Sequence, residues 1–506
     1  MLFVFADQLR AQATGFGGDS NAKTPHLDLL AATAVDLTHA VSGHPVCCPY
    51  RASLLTGQYD VGHGVIINDV PVRKGAVGLG HAFRAGGYAT AYVGKFHAFG
   101  SPAGKLERRQ AFIPPAERLG FEEYWKAFEC THDYNDSAYY EGAEPVLRKW
   151  GGYDTIAQTD DVCQWLRQQA VGGTAAGSQR QPFLAVLSWG TPHDPYQSAP
   201  DQYKALFPSD SPLKLRPNIP EEMVTKSTHD LRGYYSHIAA LDSCMGKLLA
   251  TLAETGLARD TIVVFTSDHG DMLGSQGIRG KHVPWDESIR VPFLVRLPQD
   301  PALHAVGRRL PLLLDAPDIM PTLLGLCGLA IPHTVQGRDW SAVIRGERAI
   351  DPSEPGDIDE QHHVDLNAVN SALLKVPVPY HWLRTQGITE FRGVRTPRYT
   401  YVRNIWGPWL LYDNVRDPFQ LTNLLQQPES NSSSSGGQVA QVSSRLERLL
   451  QRWLHKLGDE FLSGAVLLKK AGLDHYREAH VPWRVWETQW SQEPFLEPTP
   501  EQAARL

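Results

Sequence analysis

Residues 46–57 read Val46-Cys47-Cys48-Pro49-Tyr50-Arg51-Ala52-Ser53-Leu54-Leu55-Thr56-Gly57, and this is the most informative stretch of the chain. Proline stands two positions after Cys47, arginine stands four positions after it, and a helix-compatible run then ends at a glycine. Two interpretations are open. The simpler one is a buried cysteine pair before a helix, because cysteine often behaves as a small core hydrophobe. The other makes Cys47 a catalytic residue.

The pattern of Cys47, Pro49 and Arg51, running into Ala-Ser-Leu-Leu-Thr-Gly, resembles the signature of the type I sulfatases of the alkaline phosphatase superfamily. In that family a formylglycine-generating enzyme oxidises the cysteine to Cα-formylglycine, whose hydrate is the nucleophile. The resemblance therefore implies this modification at Cys47 and implies the generating enzyme as a maturation partner. Tyr50 departs from the usual serine of the signature, whereas the cysteine, proline and arginine are intact.

Several apolar runs end in polar or charged residues. The runs and the residues that follow them are 2–6 before Asp7-Gln8, 88–94 before Lys95, 182–189 before His193, and 261–267 before Asp268-His269. Such runs predict strands that are buried on both faces. In open α/β sheets, ligands bind at the carboxyl ends of the strands. Together with the resemblance, this predicts an α/β, alkaline-phosphatase-like fold with a large mixed, mostly parallel sheet flanked by helices.

The resemblance also implies a site for one divalent cation. The residues that it assigns to this site are Asp7, Gln8, Cys47, Asp268 and His269. The common form of the first motif is Asp-Asp, and Asp-Gln marks a bacterial subset. Oxygen-rich ligation favours Ca²⁺, with Mg²⁺ and, because of the histidine, Mn²⁺ as alternatives. Taken alone, Asp7 would more often be a cap or turn residue than a ligand.

Three further segments resemble sulfate-binding motifs of the family. They are Lys95-Phe96-His97, Pro192-His193-Asp194-Pro195, and the stretch that begins Gly280-Lys281. The resemblance implies that Lys95, His193 and Lys281 bind the sulfate group. It implies a catalytic set of Cys47, Arg51, Lys95, His97, His193 and Lys281. A solvated lysine–histidine pair and a turn histidine restrained by two prolines are the alternatives for the first two segments.

Composition limits the partners and the compartment. The formal net charge of −7 over 506 residues gives no reason to expect a nucleic acid or an anionic membrane as partner. The six cysteines are too sparse for a disulfide framework and are not spaced as zinc ligands. No apolar run approaches the roughly twenty residues of a membrane span, and the apolar start is too short for a signal peptide. We therefore expect a cytoplasmic protein as written, or a periplasmic or secreted one if a leader has been trimmed.

The pattern of apolar and polar residues changes near residue 350. Residues 391–396, 399–403 and 409–413 have the character of short antiparallel strands. Residues 439–457 have apolar positions at helical spacing. We therefore predict a catalytic domain over 1–350 and, over 351–506, a smaller C-terminal α+β subdomain with an antiparallel sheet and a helix. Residues 101–180 predict an insertion of loops and short helices.

The predicted function is hydrolysis of a sulfate monoester, a small anionic substrate that is favoured to be a sulfated carbohydrate. One alternative is a phosphonate monoester or phosphodiester hydrolase of the same superfamily, to which Asp7-Gln8 gives some weight. Another is a non-catalytic carbohydrate-binding relative, against which the intact set of site residues argues. Aromatic residues between Trp125 and Tyr153 could line a sugar site or could belong to the core.

Overall fold

The computed structural model describes residues 1–171, 180–298, 307–350, 370–379, 381–384, 386–426 and 433–476. Its strands are β1 Leu2–Asp7, β2 Val35–Leu37, β3 Ala89–Lys95, β4 Tyr124–Phe128, β5 Ala138–Glu141, β6 Leu147–Lys149, β7 Phe183–Pro192, β8 Val263–Ser267, β9 Phe293–Arg296, β10 Arg308–Leu310, β11 Ala372–Val376, β12 Phe391–Arg395, β13 Tyr399–Asn404 and β14 Gly407–Asp413. Its α-helices are α1 Pro25–Ala31, α2 Cys47–Thr56, α3 Asp60–His63, α4 Leu79–Ala85, α5 Asp154–Val171, α6 Asp201–Lys204, α7 Val224–Glu254, α8 Asp286–Ile289, α9 Ala316–Leu326, α10 Ser341–Arg345, α11 His381–Arg384, α12 Ser433–Leu457 and α13 Gly464–Lys470.

Ten of the described strands form one mixed sheet in the order β10-β2-β9-β8-β1-β7-β3-β4-β5-β6. The five strands from β8 to β4 run parallel to one another. Strand β9 is antiparallel to both of its neighbours, and β5 and β6 add an antiparallel edge on the other side. The prediction of a large mixed, mostly parallel sheet is confirmed.

The central sheet is covered on both faces, as the apolar runs predicted. Leu2, Val4 and Ala6 of β1 pack into the core on one face, where α1, α5 and α7 contribute apolar side chains. Phe3 and Phe5 face the opposite core, which contains residues of α2, α4 and α9. Alternate residues of one strand therefore enter two different cores, and burial of both sets contributes to stability.

A second sheet of four antiparallel strands has the order β11-β12-β13-β14. One face packs Leu374 and Val402 against Trp285, and the other packs Val394 against Trp453 of α12. The structure confirms the three predicted strands and the helix, and it adds β11. The domain boundary near residue 350 stays a prediction, because residues 351–369 lie outside the described part of the chain.

The region over 101–180 differs from its prediction. It contains β4, β5 and β6, which extend the large sheet, and the 18-residue helix α5. Trp125 and Tyr134 are only 1% exposed and belong to the core, whereas Tyr139 and Tyr140 are half-buried. Within the described part of the chain, no helix combines the length and the apolar character needed to cross a membrane.

Candidate active site

Cys47 lies at the amino-terminal end of α2. It is the first residue of the helix and is 2% exposed. The positive end of the helix dipole favours an electron-rich group at this position. The helix ends at Gly57, whose φ of +66° is a left-handed conformation that glycine adopts readily. The signature motif therefore forms one complete helix that presents residue 47 at its start.

The other predicted site residues converge on Cys47 because the central strands are parallel. Asp7 ends β1, Lys95 ends β3, His193 follows β7, and Asp268 follows β8. The carboxyl ends of parallel strands lie at one edge of a sheet, and this edge faces the start of α2. The predicted convergence is therefore seen in the fold.

Asp7, Cys47, Asp268 and His269 form a buried cluster whose ligand atoms all lie within 4.8 Å of one another. The Nε2 atom of His269 is 3.3 Å from Sγ of Cys47 and 3.5 Å from Oδ1 of Asp268. Its Nδ1 lies 3.0 Å from the carbonyl oxygen of Gly270, which can only accept a hydrogen bond. The proton is therefore on Nδ1, and the lone pair on Nε2 faces the cluster. Two carboxylates and an imidazole fit a divalent cation such as Ca²⁺, Mg²⁺ or Mn²⁺.

Gln8, the remaining predicted metal residue, borders this cluster. Its backbone N–H donates to Oδ1 of Asp268 at 2.9 Å, and its side-chain oxygen accepts from Nζ of Lys281 at 2.8 Å. Lys281 also lies 3.1 Å from Sγ of Cys47. The ammonium group of Lys281 therefore bridges the side-chain oxygen of Gln8 and the sulfur of Cys47.

Arg51 joins the two carboxylates of the cluster. Its Nη2 lies 3.0 Å from Oδ2 of Asp7 and 3.1 Å from Oδ2 of Asp268. Its Nη1 donates to the carbonyl oxygen of Lys95 at 2.9 Å and to Oγ of Ser188 at 2.7 Å. Burial opposes the charge, but the two aspartates raise the pKa of this guanidinium. Arg51 is therefore a buried cation that connects the carboxylates of Asp7 and Asp268.

The two lysines make the surroundings of Cys47 electropositive. Nζ of Lys95 donates to Oδ2 of Asp7 at 2.6 Å, and Lys281 contacts the sulfur. Burial raises the pKa of the Cys47 thiol, and Asp7 raises it further, but Lys281, Lys95 and His269 outweigh both and bring it well below its usual value. The sulfur here stands in for the oxygens that formylglycine would carry, so the same field would act on them.

His193 is oriented by the residue that follows it. Its Nδ1 lies 2.9 Å from the backbone oxygen of Asp194 and 3.1 Å from Oδ1 of the same residue. Burial and Lys281 lower the pKa of this imidazole, but Asp194 and Asp7 outweigh them and raise it. Because Nδ1 faces Asp194, the other ring nitrogen, Nε2, points away from that residue.

His97 lies behind the cluster, beside different residues from those expected. Its Nε2 is 3.6 Å from Oδ1 of Asp69, and the thiols of Cys48 and Cys130, the Lys95 ammonium and the Glu129 carboxyl also lie near it. Burial opposes protonation, but the two thiols and Asp69 raise the pKa of His97 well above its usual value. Arg109 binds both oxygens of Asp69, at 3.1 and 2.8 Å. The predicted role of His97 at residue 47 stays a prediction.

Four residues around the site were not among those predicted: Ser188, His132, Tyr196 and Asp271. The His132 ring lies 4.1 Å from the His193 ring, and Asp271 accepts hydrogen bonds from Gln8 and Tyr196. Asp271 had a signal in the sequence, because it directly follows Asp268-His269-Gly270. His132 follows β4, a strand that the sequence did not reveal.

Comparison with known proteins agrees with this geometry. The protein-family model described as Sulfatase matches residues 1–329, which is more than half of the chain. The chain belongs to the sulfatase family. In this sulfatase a second model, described as N-sulphoglucosamine sulphohydrolase, C-terminal, matches residues 274–451. The protein is therefore a sulfuric ester hydrolase of the alkaline phosphatase superfamily, and its large sheet is the family fold.

The relatives include named sulfatases that align over most of their length. The chain is 40% identical over 472 residues to an ulvan-active sulfatase of Formosa agariphila, covering 93% of this chain and 84% of the relative. It is 32% identical to an endo-4-O-sulfatase of Bacteroides thetaiotaomicron, covering 84% and 87%. A solved structure reported with the metabolism of multiple glycosaminoglycans by the same bacterium has a TM-score of 0.74 and 28% identity, covering 93% and 99%.

Proposed function

We propose that this sulfatase hydrolyses sulfate monoesters of a carbohydrate, with Cys47 converted to formylglycine and a divalent cation, Ca²⁺ in first place, in the cluster beside it. The observation that carries the proposal is the position of the Cys47 sulfur, 3.1 Å from Nζ of Lys281 and 3.3 Å from Nε2 of His269. The residue proposed as nucleophile, the candidate cation ligands and the two lysines thus lie buried beside one another. Relatives named for ulvan, a polysaccharide, and for a 4-O-sulfate group support a carbohydrate substrate.

Two groups absent from the polypeptide would complete this chemistry. A divalent cation held by Asp7, Gln8, Asp268 and His269 would add positive charge next to residue 47. Formylglycine at position 47 would provide, as its hydrate, one nucleophilic hydroxyl and a second hydroxyl on the same carbon through which sulfate can later leave.

The cationic side chains of the chain itself bind and orient the sulfate group. A sulfate monoester carries one negative charge, and this charge spreads over its equatorial oxygens as the ester bond breaks. Lys95 and Lys281, both held beside residue 47, are placed to contact these oxygens. Arg51 keeps Asp7 and Asp268 in position, and its charge would polarise residue 47.

The two histidines would handle protons. His193, whose pKa is raised by Asp194 and Asp7 against burial and Lys281, would donate a proton to the departing alcohol oxygen. His97 would accept a proton from the second hydroxyl of residue 47. That role requires a neutral ring, and its pKa is raised. We therefore expect release of sulfate from the enzyme to accelerate as the pH rises.

The test begins with the mass of the peptide that contains Cys47, after expression with a formylglycine-generating enzyme. An aldehyde at Cys47 is expected, despite Tyr50, together with release of sulfate from members of a panel of sulfated oligosaccharides. A thiol that stays unmodified, under conditions that convert a control sulfatase, would contradict the proposal. Faster turnover of phosphonate monoesters or phosphodiesters would favour the alternative hydrolase.

The variant Cys47→Ser tests the mechanism separately. Serine offers one hydroxyl but no second one, so we expect a stable sulfate ester on the substituted side chain and no further turnover. The matched control is Cys327→Ser, because Cys327 lies beyond α9, next to Tyr88 and the chain's amino terminus. Normal multiple turnover by Cys47→Ser would refute the proposed mechanism.

A further inference from the structure

The backbone of Gln8 is fixed on both sides. Its φ is +69°, an uncommon conformation for a residue with a side chain. Its N–H donates to Oδ1 of Asp268 at 2.9 Å, and its carbonyl oxygen accepts from the hydroxyl of Tyr234 at 2.7 Å. The residue is 2% exposed. The freedom that remains is rotation of the terminal amide, which has two states that exchange the oxygen and the nitrogen.

Opposite charges face the two ends of this amide. The Nε2 group lies 2.5 Å from Oδ2 of Asp271, and the Oε1 atom lies 2.8 Å from Nζ of Lys281. Both contacts are charge-assisted hydrogen bonds. A half-turn of the amide would place the oxygen against the carboxylate and the NH₂ group against the ammonium. One orientation is therefore strongly favoured by its neighbours.

We propose that Asp271 is a positioning residue that turns the side-chain oxygen of Gln8, instead of its NH₂ group, toward the metal cluster. The inference rests on the proposed function, because it concerns how the chain prepares its cation site. Ca²⁺, Mg²⁺ and Mn²⁺ bind amide oxygens and not amide NH₂ groups. An aspartate at position 8 would have two equivalent oxygens and would need no such control, whereas a glutamine does.

The other oxygen of Asp271 makes a sharp test possible. Oδ1 accepts hydrogen bonds from the backbone N–H groups of Leu273 and Gly280, both at 3.0 Å. In Asp271→Asn, the N–H groups of Leu273 and Gly280 keep the side-chain oxygen of the new asparagine at the Oδ1 position. Its NH₂ group therefore takes the place of Oδ2. It then faces Nε2 of Gln8, and Gln8 must turn its oxygen toward this new NH₂ group and its own NH₂ group toward Lys281 and the cluster.

The measurement is calorimetric titration of the full-length protein, freed of metal by a chelator, with Ca²⁺, Mg²⁺ or Mn²⁺ alone. We expect Asp271→Asn to weaken the binding of the preferred ion by about 10- to 100-fold. Asp271→Ala removes the same charge without adding a donor, so we expect a clearly smaller loss. Tyr196→Phe removes the second donor at Oδ2, the tyrosine hydroxyl, and should stay within about threefold of the wild type, since Asp271 still accepts from Gln8.

A second substitution at position 8 separates orientation from folding defects. In Gln8→Glu combined with Asp271→Asn, the carboxylate presents an oxygen to both sides, so we expect affinity to return to within about threefold of the wild type. A misfolded asparagine variant would not be rescued in this way. Melting curves in chelator, expected to stay cooperative for Asp271→Asn, provide a further readout of folding.

Each other outcome contradicts a defined part of the argument. Equal affinities of wild type and Asp271→Asn would overturn the orientation proposal and leave the metal site intact. Equal losses of metal affinity in Asp271→Asn and Asp271→Ala would mean that only the charge of Asp271 matters, and would overturn the orientation proposal. Failure of Gln8→Glu to rescue Asp271→Asn would overturn it as well. A wild-type protein that binds none of the three ions would overturn the proposed metal site, and this inference with it.

Discussion

Replacement of Arg51 by methionine tests how the site is held together. The arginine is fully buried and bonds both carboxylates of the cluster, the Lys95 carbonyl and Ser188. Methionine keeps much of the volume but offers no charge and no donor. The variant therefore leaves Asp7 and Asp268 side by side with less positive charge between them.

The expected loss follows from these contacts. Removing one partner of a buried ion pair typically costs about 3–5 kcal/mol, because the remaining charge stays buried without its partner. Lys95 still neutralises Asp7 in part, so we expect a loss near ~4 kcal/mol in the free energy of unfolding, measured in chelator. A divalent cation can replace the lost positive charge. If its affinity rises about tenfold in the variant, saturating Ca²⁺ should reduce the loss by about 1.4 kcal/mol.

The assay is urea unfolding with and without Ca²⁺, and the matched control is Arg395→Met. Arg395 is also buried and donates to both oxygens of Asp286, each at 3.3 Å, in a pair separate from the cluster. We expect a comparable loss in this control that does not change with Ca²⁺. A loss below about 1 kcal/mol for Arg51→Met in chelator, or an equal effect of Ca²⁺ on both variants, would refute the reasoning.

Three further predictions concern other buried groups. Burial raises the pKa of Asp154 to about 7, so the folded state holds a proton that the unfolded chain releases near pH ~4. Its contribution to stability is therefore lost as the pH rises from about 4 to about 7, by about 4 kcal/mol. Asp154→Asn should flatten this slope in pH-dependent unfolding, and the exposed Asp160→Asn should not. Tyr50→Ala should destabilise the folded protein by about 3–5 kcal/mol, because the ring is 1% exposed in the core. Tyr50→Phe should cost no more than about 1 kcal/mol in the same unfolding experiment, and a large loss would contradict the packing role. His132→Ala should lower kcat/KM about 2- to 10-fold through loss of the contact with the His193 ring, and His132→Phe should restore most of it.

The convergence of the site could be predicted because it depends on local patterns and on one rule of topology. The runs before Asp7, Lys95, His193 and Asp268 are continuously apolar, which indicates strands buried on both faces, and parallel strands bring their carboxyl ends to one edge. The same logic failed for β11 and for β4. Strand β11 follows residues 351–369 with no turn signal that marks its start, and β4 mixes polar and apolar residues because it lies near the edge of the sheet.

The environment of each predicted residue was harder to foresee than its position. His97 was expected in the catalytic set because Lys95-Phe96-His97 resembles a motif of the family. Side chains two positions apart point the same way only on extended backbone, and the φ of +49° at His97 departs from it just after β3 ends. The ring consequently lies beside Asp69 and the two thiols. Partners of that kind come from loops whose paths a single sequence does not specify.

The orientation of some polar groups depends on a neighbour in the sequence, and that of others depends on a distant residue. The tautomer of His269 is set by Gly270 and the orientation of His193 by Asp194, so in both cases the deciding partner is the next residue in the chain. The orientation of Gln8 is set by Asp271, which is 263 positions away. A sequence motif can therefore indicate that an amide reaches the site, but which of its two atoms faces a cation depends on a tertiary contact. This is why the chemistry of Asp7-Gln8 becomes definite only together with the residue that follows Asp268-His269-Gly270.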